Sequence, residues 1–100
     1  MEFTTSAPSK RPGVAFACDV LKRARQKIMV IRDCFSSYTK AKLIPDETAE
    51  TLSATIIDLT ADLISTNGAT IRVDGGMQCL VGYPHLSKRN ITIEVGRLKN

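Results

Sequence analysis

Residues 11–42 read RPGVAFACDVLKRARQKIMVIRDCFSSYTKAK, and the apolar pattern in this stretch decides the fold. Val14, Phe16, Cys18 and Val20 alternate with Ala15, Ala17 and Asp19, which predicts a strand over residues 14–21. The run Lys22-Arg23-Ala24-Arg25-Gln26-Lys27 then interrupts the pattern as a cationic turn. Ile28, Met29, Val30 and Ile31 are consecutive apolar residues, so a second strand is expected over residues 28–35, buried on both faces. Thr39, Ala41 and Leu43 alternate with Lys40 and Lys42, predicting a third strand over residues 38–44. The links between the three are short, and an antiparallel meander is the economical arrangement.

Downstream the period changes from two to between three and four. Ala49, Leu52, Ile56, Leu59 and Leu63 form one apolar stripe, widened by Ile57 and Ile64. Pro45-Asp46 opens this helix, with Asp46 offering a carboxylate to a free backbone N–H and Glu47 and Glu50 suiting the positive helix end. Asn67-Gly68 supplies a left-handed stop. Residues 69–73 form a fourth strand, ended by Asp74-Gly75-Gly76, and strand–helix–strand fits a crossover onto the same sheet. Residues 80–86 form a loop or short helix. Ile91, Ile93 and Val95 share one face of a fifth strand, followed by a polar tail over residues 96–100. Residues 1–12 read as a flexible lead-in with Pro8, Pro12 and small polar residues. The expected order is βββαβ, a short helical turn, then β, and no internal repeat is visible.

The bulk composition agrees with one small domain. The 100 residues are 43% hydrophobic and 24% charged, which excludes disorder throughout. The net charge of +4 favours anionic partners over acidic-protein roles, although a solvated basic surface has the same composition. Three cysteines, Cys18, Cys34 and Cys79, form no CxxC pair and no secreted disulfide framework. Cys18 and Cys34 are expected to pack as small hydrophobes. His85 is the single histidine, placed in a loop after Tyr83-Pro84, so a His/Cys zinc site is excluded. No apolar run spans a bilayer and residues 1–10 hold no apolar signal core, so an intracellular protein without a membrane partner is expected.

Three apolar strands each deliver an aspartate: Asp19, Asp33 and Asp74. A carboxylate in an apolar strand is costly unless compensated, and a hard divalent cation, Mg²⁺ or Mn²⁺, is a natural compensator. Two such ions can clamp the attacking and leaving oxygens of a phosphodiester. With the hairpin reversing near Arg25, Asp19 lies opposite Ile31 and Asp33 falls about 7 Å further along. Asp19 and Asp33 then need not share a site. Asp74 meets Asp19 only if the fourth strand lies beside the first and parallel to it. Turn chemistry alone also accounts for Asp74-Gly75-Gly76.

The stretch over residues 11–42 resembles the opening of a retroviral-type integrase catalytic core. In that family a Pro-Gly precedes a strand with the first catalytic Asp, and a second strand ends in an Asp-x-Phe-Ser segment and an aromatic. Here these are Pro12-Gly13, Asp19, Asp33-Cys34-Phe35-Ser36 and Tyr38. Glu47-Thr48-Ala49 is similar to the start of the family's first helix. The segment GATIRVDGGMQCL, residues 68–80, resembles the one carrying the second catalytic Asp, here Asp74. Between Asp19 and Asp74 lie 54 residues, a separation that the family tolerates.

Over residues 11–98 the resemblance implies an α/β fold of the ribonuclease-H type, with a five-stranded mixed sheet and helices packed on it. It implies polynucleotidyl transfer in DNA integration, with Asp19 and Asp74 as catalytic and metal-binding residues. DNA would be the partner, self-association would accompany it, no small molecule would be the substrate, and the nucleus would be the place of action. Two departures qualify this. Gly75 stands where the family has Asn, and no aromatic follows. The family's third acidic ligand is a Glu on a later helix, whereas Glu94 falls on the fifth strand. The expectation is a core with its C-terminal part missing, over residues 13–100, with weak or no activity alone. Lys22, Arg23, Arg25 and Lys27 are the candidate phosphate contacts; Lys40, Lys42, Lys88, Arg89, Arg97 and Lys99 are more scattered. A non-catalytic nucleic-acid- or protein-binding module on the same fold is the alternative.

Overall fold

The protein is described here by a computed structural model over residues 11–96. Most of the expected lead-in, residues 1–10, and most of the expected tail, residues 97–100, lie outside the described residues. Five strands form one mixed sheet: β1 (Ala15–Arg23), β2 (Gln26–Asp33), β3 (Thr39–Ile44), β4 (Ala69–Val73) and β5 (Ile91–Val95). Their order across the sheet is β3-β2-β1-β4-β5. The first three strands pair antiparallel, while β4 pairs parallel to β1 and β5 parallel to β4. Between β3 and β4 runs the helix α1 (Ala49–Thr60); between β4 and β5 come a 3₁₀ segment (Gly75–Leu80) and the short helix α2 (Pro84–Ser87). This is the expected α/β order and sheet.

Residue alternation divides the sheet into two unlike faces. Phe16 and Cys18 of β1, Met29 and Ile31 of β2, Ile71 and Val73 of β4 and Ile93 of β5 point to one side. There they meet Leu52, Ile56 and Leu59 of α1, Met77 and Leu80 of the 3₁₀ segment and Leu86 of α2 in a single core. Each fully buried Leu, Ile or Phe contributes about 1.5–3 kcal/mol. The opposite face carries Ala17, Asp19, Leu21, Ile28, Val30, Arg32, Leu43 and Arg72. None of the helices of the described residues covers it. That corrects one expectation: β2 is not buried on both faces, because Ile28 and Val30 stay half-exposed on the open side.

The boundaries differ where side-chain hydrogen bonds outweigh hydrophobic pattern. β1 runs on through Lys22 and Arg23, which pair with Lys27 and Gln26, so the cationic stretch is strand end around a two-residue turn, Ala24-Arg25. Ala24 takes φ 53° to make that reversal. The pairing consequently sets Asp19 opposite Val30, one residue short of the expected Ile31. β2 stops at Asp33 because that carboxylate accepts the Phe35 N–H at 2.9 Å and turns the chain, leaving Phe35 exposed.

The helix begins later than the expected Pro45-Asp46 opening and ends earlier than its apolar stripe suggests. Its cap is Thr48, whose Oγ1 accepts the Thr51 N–H at 3.2 Å. Asp46 does accept a backbone N–H, that of Thr48 at 3.1 Å, but two residues ahead of the cap. Thr60 O accepts the N–H groups of Ile64 and Leu63 at 2.8 and 2.9 Å, which closes the helix. Gly13 then packs on the following turn: Gly13 O accepts the Ser65 N–H at 2.8 Å. A Cβ on Gly13 would lie 2.2 Å from Leu63 O, and its φ is +78°. Continuing α1 to Asn67 would break this docking. On the sheet side, Lys42 and Lys40 of β3 reach α1 and the turn after it, pairing with Asp58 at 2.8 Å and Asp62 at 2.6 Å.

Candidate functional site

Asp19 stands in the middle of β1 on the open face and is 4% exposed. The parallel register Ala15↔Thr70, Phe16↔Ile71, Ala17↔Arg72 carries forward to place Asp74 beside Asp19. The condition for the two to meet is therefore fulfilled. Their carboxyl groups lie within hydrogen-bonding reach of each other. Asp19 Oδ1 also accepts the Val20 N–H at 2.8 Å. Asp74 serves the turn at the same time: its Oδ1 accepts the Gly76 N–H at 2.9 Å as cap of the 3₁₀ segment. Turn chemistry and proximity to Asp19 thus coexist in one residue.

Two carboxylates this close resist carrying two negative charges. Burial, then the hydrogen bond and charge of Asp74, push Asp19 up to about 6, against the opposing pull of the Val20 N–H. The same surroundings raise the Cys18 thiol, chiefly through burial and then through the charges of Asp19 and Asp74. Cys18 points into the core and is 2% exposed, as expected of a small hydrophobe.

Asp33 belongs elsewhere. It faces the core side of β2, opposite Phe16, and its Oδ2 accepts the Gly13 N–H at 3.1 Å while Oδ1 accepts that of Phe35. It ties the start of the described chain to the β2–β3 turn. Glu94 is also away from the pair: it aligns with Arg72, not Asp74, and binds Arg72 Nη2 at 3.3 Å. Among the described residues, no group of three His, Cys, Asp or Glu side chains is placed to hold a metal ion. Asp19 and Asp74 place carboxylate oxygens side by side, the donor type that a divalent cation completed by water takes.

The four cationic candidates surround the tip of the β1–β2 hairpin, beyond Asp19 at the carboxyl end of β1. Lys22 is partly engaged by Glu47 at 3.1 Å. Arg23, Arg25 and Lys27 have no ion pair among the described residues. Two further arginines escaped the sequence reading, Arg32 and Arg72. Their signal was available in the alternation: Arg72 precedes Asp74 by two residues and so shares its face.

No protein-family profile and no curated sequence matches the chain. A solved structure does: the catalytic core domain of BIV integrase superposes with a TM-score of 0.68 at 22% identity, over 88% of this chain and 57% of that one. The fold is that of an integrase catalytic core. The sheet order β3-β2-β1-β4-β5 is the one a ribonuclease-H-like core requires, with its central parallel seam between β1 and β4. The chain spans somewhat over half the length of the integrase core it matches. Within the integrase-core fold, Asp19 and Asp74 are brought together by that seam and by nothing local in sequence.

Proposed function

We propose that this chain is an integrase-type core, one unit from residue 13 onward, that binds a divalent cation, Mg²⁺ or Mn²⁺, through Asp19 and Asp74. DNA is the proposed partner, met first by Lys22, Arg23, Arg25 and Lys27. The observation that supports this reading is the carboxylate pair itself, buried Asp19 beside partly buried Asp74 on the open sheet face. A bound cation would supply Lewis-acid activation of a phosphodiester and of the attacking water or 3′-hydroxyl. Asp19 and Asp74 would hold it, with Val20 N–H and Gly76 N–H fixing their orientation. The hairpin cations would bring the phosphate backbone towards that end of the sheet.

Two carboxylates neutralise less charge than two Mg²⁺ ions demand, so we expect weak metal binding and weak or no strand transfer by these residues alone. No helix of the described residues is long and apolar enough to cross a membrane. A protein with this activity would work where chromosomal DNA is, in the nucleus of a cell that has one.

A second reading is a non-catalytic nucleic-acid-binding module on the same fold. It is favoured by one observation: Glu94, the nearest acidic residue on β5, is bonded to Arg72 and turned to a different row. Thermal melting under Mn²⁺ and Mg²⁺ titration, beside Asp74→Asn, decides between them, since a ligand of the folded state raises the melting temperature by mass action. A rise in the parent chain that vanishes in the variant is expected. No rise in either folded protein would remove the metal site and leave the binding module.

A further inference from the structure

We propose that Arg32 and Arg72 form a phosphate-binding pair on the open face of the sheet, which holds the backbone of a single-stranded nucleic acid one nucleotide away from the carboxylate pair. The register carries this. Ala17 of β1 pairs with Arg32 of β2 on one side and with Arg72 of β4 on the other. Two strand spacings separate the arginine Cα atoms, about 10 Å, and only the Ala17 methyl stands between them. Guanidinium side chains are long enough to meet an anion over that methyl. Both already act on one thiol, Cys34: its burial and the charge of Asp33 raise it, and Arg32 and Arg72 both oppose the rise.

Among the described residues, neither fork is fully engaged. Arg32 Nη2 donates to Ser37 Oγ at 2.8 Å, and Arg32 has no ion pair among the described residues. Among the described residues, Arg72 makes one hydrogen bond, from Nη2 to Glu94 Oε1 at 3.3 Å. A guanidinium carries five N–H donors in a planar fork matched to phosphate oxygens. Gly96 gives the Arg72 fork its room: a Cβ there would lie 3.0 Å from Arg72 Nη1.

Ala17 lies two residues before Asp19 on the same face, about 7 Å by strand rise. That is close to the separation of neighbouring phosphates on one strand. A phosphate on the arginine pair therefore sets the adjoining phosphodiester beside Asp19 and Asp74. Half-exposed Ile28 and Val30 and exposed Leu43 continue the surface beyond the arginines, and an unpaired strand can lay its bases there whereas a duplex keeps them stacked inside. The choice of nucleic acid as ligand rests on the proposed function; the anion site rests on the register alone.

The test is fluorescence anisotropy of a labelled single-stranded oligothymidylate with the whole chain, in EDTA, across a salt series. Because EDTA removes the cation, failure of the metal centre leaves this comparison intact. Arg32→Gln with Arg72→Gln is expected to weaken binding and to reduce the log–log salt slope by about 0.7, the value for one phosphate of a single strand. Arg32→Lys with Arg72→Lys preserves charge and is expected to keep the slope but lose affinity, because the forks are gone. An unchanged slope in the folded glutamine variant, unchanged affinity in the lysine variant, or no binding by the parent chain would each overturn the proposal.

Discussion

Asp19 holds its proton at pH values where exposed aspartates have lost theirs. Asp19 is pushed from 3.8 up to about 6, so the folded chain binds that proton more tightly than the unfolded chain. The contribution of Asp19 to stability without metal is then greatest below about pH 4 and declines as pH rises through 6. A cation must displace this proton. The metal-induced rise in melting temperature should therefore be small near pH 5 and full above about pH 7. A rise of equal size at both would mean that the cation binds some other group. Asp33 behaves differently, since its two backbone N–H bonds are structural. Asp33→Ala should cost about 1–3 kcal/mol by stranding the buried Gly13 N–H. Urea denaturation would read that loss, and the metal-induced rise should survive it. The sequence showed three aspartates in apolar strands but not which two meet. Carboxylate spacing along the chain says nothing about a partner that lies beyond 54 intervening residues; that depends on which strand lies next to β1.

At the scale of elements, hydrophobic period was a sound guide to what forms and a poor guide to where it stops. β4 and β5 match their expected spans because Gly68 and Asp74 punctuate the first and Asn90 and Gly96 the second. The ends of β1, β2 and α1 were misjudged because a turn at Ala24, a carboxylate at Asp33 and a docked glycine at Gly13 set them. These are contacts with residues distant in sequence or backbone angles that composition does not announce. The hairpin offers a direct check. Ala24 holds φ 53°, a conformation that costs an L-residue roughly 1–2 kcal/mol. Ala24→Gly should raise the urea midpoint with unchanged m-value, by about 1 kcal/mol of stability. A lowered midpoint would show that the Ala24 methyl makes a contact outweighing the strain.

On the scale of the whole molecule, the helices of the described residues pack on one side of the sheet, and all the proposed chemistry lies on the other. The helices secure the core face. The α/β architecture was legible from the order of its elements and from the resemblance of residues 11–42 and 68–80 to an integrase core, whereas element order alone left open that β4 lies beside β1. That no helix of the described residues packs on the second face was not legible, since Ile28 and Val30 look as apolar as any buried pair.

The parallel seam between β1 and β4 also dictates when the site comes into being. The three antiparallel strands are joined by short turns, so their pairing closes small loops and can form early. Docking β4 against β1 must close a loop of some fifty residues, and α1 has to be in place to span it. Pulse-labelled hydrogen exchange should find the amides of β2 and β3 protected before those of β4 and β5. Asp19 would then spend the early part of folding as an ordinary solvated aspartate, and its pairing with Asp74 would time the last step of assembly.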